Sequence, residues 1–526
     1  VSEEQEPLNP YRWLILFGLV TAAILEVLDT TIVNVALATI GGNFGATTEE
    51  IAWVSTGYIL SNVIVLPLTA WLSSLLGRRR YLTGSIIVFI IASFLCGTST
   101  SLWELVAFRI LQGAGGAALL STAQATIREI FPPEQQGTVQ SLYVLGVIVA
   151  PTLGPYLGGY LTDNYSWPWI FFVNVPIGLV AAAIVGTLLT DSKHRVASVK
   201  VDFLGIFLLA AGLGSLQYVL EEGNIKDWFD DQTICILSVV AVVCLTLLIV
   251  WELSPRNKHP VINLYVLKNR ELSAALILFL VLGFGLYGGI FIFPLFVQNI
   301  LGFTPTVTGE VLMPGGIATG VTAMLSGQIL NRKNNPIKPW MIILCGMGLF
   351  VFSMWDLAHM TDQSGEPDTR LALILRGAGL GMLFVPINLA AFSSLKGVEI
   401  SQGASLLNLM RQLGGSLGIA ILGFFLTRRT AMHYSMLASH TYLGNPAFEA
   451  RYNAARQALE ASGLTAAEAQ QGAYQMMSGL IKAQAATLSY NDAFLILGVA
   501  MAMVSPMLVL LRGGPKPGGG PPVDAH

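Results

Sequence analysis

Charge is what this sequence has least of. Of its 526 residues, 11% are Asp, Glu, Lys or Arg, against roughly 25% in soluble domains. That shortage excludes an ordinary water-soluble globule. Cysteine is scarce too. Cys96, Cys235, Cys244 and Cys345 all fall inside apolar segments, with no CxxC or Cys/His spacing. Neither a disulfide framework nor a metal site is expected from them, and no cofactor is implied. The formal net charge of −3 offers no basic surface for nucleic acid. No GxxxxGK[ST] loop or HExxH pattern occurs. Direct use of ATP is therefore not expected, and nothing positively supports an enzyme. The short alternating segments of a lipid-facing barrel are missing as well.

Long apolar runs fill the chain instead. Fourteen of them, from 12–38 to 488–511, approach or exceed the roughly 20 residues that cross a bilayer as a helix. The chain reads as an all-α polytopic membrane protein. The first run is too long for a cleavable signal peptide and carries two acids. Lys and Arg favour the loops on the amino-terminal side, 18 of the 28 against 7 on the opposite side. Both termini are therefore expected in the cytoplasm.

The first run contains Glu26, Asp29 and Thr30, which share one helix face. A charged acid at mid-bilayer costs roughly 3 kcal/mol on insertion scales, so that face should look into a bundle or a wet cavity. Burial disfavours the ionised form of a carboxylate, which makes either acid a candidate proton carrier. The plainer reading is that Glu26 snorkels, or that Asp29 only bonds a neighbouring helix. Arg109, in the fourth run, stays charged at any working pH. It needs an acid or carbonyl partner, and Asp29 and Glu26 are the natural candidates. Its role is either a fixed pair between helices or a partner that competes with a proton.

The fifth run places Gly146, Ala150, Gly154 and Gly158 four residues apart, with Pro151 and Pro155 interleaved. Small residues let helices approach closely, and each proline removes a backbone hydrogen bond. This run is expected to form a conformational seam between two halves of the molecule. Arg376-Gly377-Ala378-Gly379 in the twelfth run echoes Arg109 and its glycines, which suggests an internal repeat of the kind transporters carry. The ninth run is aromatic, and the thirteenth adds Asn408, Arg411 and Gln412.

One connection is long. Residues 428–487 read as a soluble helical insert, with Asn445-Pro446 opening one helix and Thr465 with Glu468 opening another. Its apolar positions suggest a docking surface. The expected organisation is a six-helix bundle over 1–190 and two additional spans with linkers over 191–269. A second six-helix bundle covers 270–511 and includes the insert, and a disordered Gly/Pro-rich cytoplasmic tail covers 512–526.

Leu28-Asp29-Thr30-Thr31-Ile32-Val33-Asn34-Val35-Ala36-Leu37, Arg109 to Gly113, the Gly/Pro run around Pro151 and Pro155, and Trp167-Pro168-Trp169 to Gly178 together resemble the major facilitator superfamily. Within it, the likeness is to the fourteen-span drug:proton antiporters of the EmrB type, and it covers nearly the whole chain. One stretch departs from the family pattern. The loop after the second run reads Ala70-Trp71-Leu72-Ser73-Ser74-Leu75-Leu76-Gly77-Arg78-Arg79-Arg80, with Ser74 where the family usually has an acid. The gating charge pair assigned to that loop is therefore in doubt.

The resemblance implies a multidrug exporter in the bacterial inner membrane, working by alternating access between two six-helix bundles. It implies a periplasmic adaptor of the EmrA kind, met through 428–487, and an outer-membrane channel of the TolC kind. Asp29, Arg109 and Glu26 are the expected proton-coupling residues. Tyr143, Phe284, Tyr287, Asn388, Asn408 and Gln412 are the expected substrate contacts. Two other functions stay open: export of a dedicated metabolite such as a siderophore or fatty acid, and a receptor or scaffold that does not transport.

Overall fold

The computed structural model describes residues 10–191, 201–257, 260–332, 337–395, 397–442 and 444–513. The expected tail falls almost wholly outside the described residues. So do Lys193, Arg195, Lys200, Lys258, Lys333 and Lys396, six of the loop cations that set the expected orientation.

Seventeen α-helices are described. The amino-terminal half holds α1 (Arg12–Phe44), α2 (Thr48–Val65), α3 (Thr69–Leu76), α4 (Arg78–Thr98), α5 (Leu102–Ile130), α6 (Gln136–Asn164), α7 (Trp169–Phe172) and α8 (Asn174–Leu188). A 3-10 turn at Leu66–Leu68 joins α2 to α3, so both belong to one span, as do α7 and α8. Next come α9 (Phe203–Glu222) and α10 (Gln232–Glu252). The carboxyl-terminal half holds α11 (Arg270–Asn299), α12 (Pro305–Asn331), α13 (Pro339–Leu357), α14 (Glu366–Ala391), α15 (Val398–Ala438), α16 (Pro446–Ala461) and α17 (Ala466–Met503).

Among the described residues, twelve helical segments are long and apolar enough to cross a membrane by length and composition. The expected fourteen also counts α6 and α12, which are 29 and 27 residues long and stand outside those twelve. Both are rich in glycine and proline. They pack against each other where the two halves meet.

The halves repeat one packing scheme. α5 lies against α1, α2 and α4, and α14 lies against α11, α12 and α13. Glycine makes this possible in both. A Cβ on Gly113 or Gly116 would overlap Tyr58 of α2, and one on Gly115 would overlap the α4 backbone. A Cβ on Gly377 would overlap Gly315 of α12, and one on Gly379 would overlap Gly346 of α13.

The glycine stripe of α6 does something other than expected. A Cβ on Gly146 would meet Val20 and Ile24, one on Gly154 would meet Thr31, and one on Gly158 would meet the Ile32 carbonyl. All four contacts are on α1, inside the amino-terminal half. Pro151 is buried in the same helix, and the side chain of Pro155 lies outside the described residues. The face that α6 turns to the other half is Gly137, Ser141 and Leu145, which meet Gly327, Ala323 and Gly320 of α12.

The insert also differs from its expected form. α15 runs unbroken for 41 residues, eleven past the expected span end at 427, and α17 joins the insert's second helix to the last span in one helix of 38 residues. No proline occurs within either helix, so nothing compels a break at the membrane surface. The capping box at Thr465 and the Asn445 cap form as expected. α16 folds back on α17 over a small core of Tyr452, Ala473 and Met477, flanked by Phe448, Ala455 and Leu459.

Candidate functional site

Asp29 sits midway along α1 and is fully buried. Its carboxylate accepts from Arg109 Nη1 at 2.5 Å, from Gln112 Nε2 at 2.9 Å and from Asn174 Nδ2 at 2.9 Å. Arg109 also donates to the Val54 carbonyl at 3.0 Å and to Gln112 Oε1 at 2.7 Å, and its guanidinium lies 4.2 Å from the Tyr58 ring centroid. Ser93 closes the network by accepting from Gln112 and Asn174 and donating to the Phe171 carbonyl. Of the two acids expected as partners for Arg109, the structure selects Asp29. Every group in this network belongs to the amino-terminal half.

Glu26, one helical turn earlier, faces elsewhere. Its Oε1 accepts from Asn62 Nδ2 at 3.2 Å, while the buried Oε2 has no hydrogen-bond partner among the described residues. Arg411 of α15 lies within electrostatic reach of Glu26 and of Tyr143. Arg411 donates to the Tyr287 hydroxyl at 2.6 Å. Arg411 thus brings a positive charge from the other half near Glu26 and Tyr143, and Tyr58 lies near both this group and the Asp29–Arg109 pair. A carboxylate with a free oxygen, opposite an arginine from the other half, can exchange a proton as the halves move. Asp29, with three donors on it, is held in place.

The expected substrate contacts separate into two places. Phe284 and Tyr287 share the half-buried face of α11, and Tyr143 donates to the Leu120 carbonyl at 3.1 Å beside them. Gln412 is half-buried, and its side chain makes no hydrogen bond among the described residues. Asn388 and Asn408 lie together nearer the Arg12 end, bridged by Gln124. Gln124 Nε2 donates to Asn388 Oδ1 at 2.5 Å, and Asn408 Nδ2 donates to Gln124 Oε1 at 3.0 Å. This buried triad joins the two halves directly.

More bonds cross at the same end. Gly137 N donates to Asn331 Oδ1 and Asn331 Nδ2 to Thr138, while Ser141 donates to the Ala323 carbonyl and Arg128 to the Phe392 carbonyl. Arg78, in the loop that lacks its usual acid, pairs with Glu129 of α5 and donates to Ser401 of α15 at 3.3 Å. Glu129 thus supplies the charge that Ser74 does not. The molecule is shut at its Arg12 end. Towards the opposite end, the contact between halves runs through α9. Glu222 accepts from Thr56 of α2, Gln217 donates to Ser416 of α15, and Asn224, just beyond the helix, donates to the Ala420 carbonyl.

Gln124, Asn62, Tyr58 and Asn174 were not singled out from the sequence. Each is one polar residue in an apolar run, and only its position facing a partner helix gives it a role.

Comparison with known proteins agrees with this architecture. Residues 19–419 match the family model described as Major Facilitator Superfamily. The multidrug export protein EmrB of Escherichia coli strain K12 is 33% identical over 500 residues, 94% of each chain. The fatty acid resistance protein FarB of Neisseria gonorrhoeae is 34% identical, over 80% of this chain and 82% of its own. Among solved structures, the proton:xylose symporter XylE aligns with a TM-score of 0.57 at 13% identity, covering 94% of this chain and 96% of that one. This last likeness is one of fold.

Proposed function

Because this chain belongs to the Major Facilitator Superfamily, and within it to the family of EmrB, we propose that it exports hydrophobic or amphipathic toxic compounds in exchange for protons. The family is one of transporters, not enzymes, and the chain is a multi-pass membrane protein acting on small molecules. In our reading it sits in the bacterial inner membrane with its Arg12 end in the cytoplasm, closed there and ready to load a proton from outside.

The observation that carries the reading is Glu26, with one oxygen unpartnered, opposite Arg411 of the other half. A proton arriving on Glu26 removes its attraction to Arg411 and favours separation of the halves. The Asp29–Arg109 pair keeps α1 and α5 rigid while this happens. A proton moving down 100 mV supplies roughly 2.3 kcal/mol, enough to bias such an equilibrium about fiftyfold.

The α16–α17 pair and the projecting end of α15 are proposed to meet a periplasmic adaptor of the EmrA kind, which would connect to an outer-membrane channel of the TolC kind. Tyr442, Tyr474, Met476 and Leu480 stand exposed there, an apolar surface such a contact would cover.

The test is substrate-induced proton release from protein reconstituted in liposomes. Release from wild type, absent in Glu26→Gln, supports the reading. No substrate-dependent proton movement in wild type would leave only the receptor or scaffold alternative. The likeness to FarB favours a second reading, a pump dedicated to one endogenous amphiphile. A competition panel separates the two, since a dedicated pump refuses chemically unrelated drugs.

A further inference from the structure

The repeat between the halves is incomplete in one respect. Arg109 and Arg376 occupy matching places, each on the helix gripped by glycine contacts to two neighbours. Arg109 has Asp29. Arg376 is buried, with 9% of its surface accessible, and no acid pairs with it among the described residues. Its Nη1 is sealed without a hydrogen-bond partner, and no hydrogen bond or ion pair reaches the rest of its guanidinium among the described residues.

Where α1 presents Asp29 to Arg109, α11 presents Gly289 to Arg376. A Cβ built there would stand 3.2 Å from Nη1. The carboxylates of this half are elsewhere. Glu310 is exposed and Asp356 partly so, Glu366 pairs with Arg370, Asp368 caps the start of α14, and Glu271 binds Ser393 and Ser394 at the other end. Among the described residues, buried Arg376 thus has no paired counter-charge of its own. An arginine cannot shed its proton to relieve this, and an uncompensated buried charge is strongly destabilising.

We propose that Arg376 is an anion anchor, and that the compounds it holds are single-chain amphiphiles with a carboxylate head. The guanidinium offers a planar pair of donors that matches a carboxylate. Phe293, one turn along α11 from Gly289, and Leu373, one turn before Arg376 on α14, are buried apolar side chains on the same helix faces, and suit the chain that follows. The anchor rests on the exporter reading for its place in transport, but binding at Arg376 does not need transport and is measured without it.

The experiment measures equilibrium binding of radiolabelled laurate to the full-length protein in a neutral detergent, with dodecanol as the uncharged control. Arg376→Gln is expected to weaken laurate binding about ten- to a hundredfold, the range of a hydrogen bond to a charged group, and to leave dodecanol within twofold. Arg376→Lys keeps the charge but not the planar pair of donors, and its laurate affinity should fall between those of Arg376→Gln and wild type. Gly289→Asp supplies from within the acid that Asp29 supplies in the other half. It should abolish laurate binding while raising the melting temperature, an effect that a merely structural arginine would not produce. Laurate bound by Arg376→Gln or by Gly289→Asp as tightly as by wild type overturns the proposal, as does an equal loss of laurate and dodecanol. Ethidium-driven proton release from the same preparation is a separate readout. Its absence in wild type sinks the exporter reading and leaves the laurate result standing.

Discussion

Asp29→Asn and Glu26→Gln change carboxylates three residues apart on one helix, and the structure assigns them opposite outcomes. The amide introduced by Asp29→Asn would keep one acceptor oxygen but turn a nitrogen towards Arg109, Gln112 or Asn174, all of them donors to the native carboxylate. Arg109 would be left buried without its counter-charge. Removing one member of a buried pair costs about 3–5 kcal/mol, and both members here are at most 1% exposed, so solvent offers little relief. Glu26→Gln keeps the oxygen that accepts from Asn62 and places a nitrogen where Oε2 has no partner. Its cost should be well below that of Asp29→Asn, since no hydrogen bond is lost and Arg411, which makes no direct pair with Glu26 among the described residues, keeps its bond to Tyr287. Unfolding of purified protein by SDS, followed through tryptophan fluorescence, gives the two stabilities. Proton release on adding substrate gives the function. Glu26→Gln is expected to fold like wild type and release no proton, whereas Asp29→Asn loses stability and release together. If Asp29→Asn unfolds at the wild-type SDS concentration, or if Glu26→Gln still releases protons, the division of roles drawn here is wrong.

The closure at the Arg12 end yields a second prediction. Gln124→Ala removes both bonds of the Asn388–Gln124–Asn408 triad, worth about 2 kcal/mol together, and should move the equilibrium about thirtyfold towards opening at that end. Spin labels at the exposed positions Glu134 and Arg332 would report it as a new, longer distance, and an unchanged distance distribution would rule the triad out as a latch. Gly137→Leu should act in the same direction for a steric reason, because a side chain there would overlap the Gly327 carbonyl. Cysteine labelling of the α6–α12 contact from the Arg12 side should then rise. In the insert, Tyr452→Ala empties the core shared with Ala473 and Met477. Truncating a buried aromatic costs about 3–5 kcal/mol, so α16 should become sensitive to protease while substrate-induced proton release continues. Loss of release in that variant would mean that the insert serves transport itself.

The chain's physics made part of this legible in advance. An acid or arginine inside an apolar run is so costly that it must be paired or put to use. That argument singled out Glu26, Asp29 and Arg109, and the likeness of Arg376-Gly377-Ala378-Gly379 to the Arg109 stretch added Arg376. Periodicity placed the acids on one face but could not separate them, since three residues differ by about 60° around a helix. In the fold, that angle puts Asp29 among α4, α5 and α8 and Glu26 towards Arg411. The glycine stripe of α6 announced close packing correctly, yet small residues do not name the helix they admit, and the partner is α1 in the same half. Sequence reading divided 428–487 from its neighbouring spans because hydropathy falls at the membrane surface. Backbone hydrogen bonding has no such boundary, and α15 and α17 simply continue.

The kind of bond that closes the Arg12 end bears on how one proton could open it. Among the described residues, seven hydrogen bonds can be named across it: two within the triad, and those made by Arg78, Arg128, Gly137, Asn331 and Ser141. No ion pair crosses among the described residues, because Arg78 directs its charge to Glu129 on its own side. At about 1 kcal/mol each, seven bonds broken outright would require more than the roughly 2.3 kcal/mol per 100 mV that one charge supplies. The figure per bond is already net of the water that replaces it, so opening this end must be offset by contacts formed as the opposite end closes. A crossing ion pair between arginine and carboxylate would add a coupling that one proton could not offset. With Ser74 in place of the acid, closure is spread over bonds that water can replace. In the mechanism proposed above, the charged part of the switch is Glu26 with Arg411.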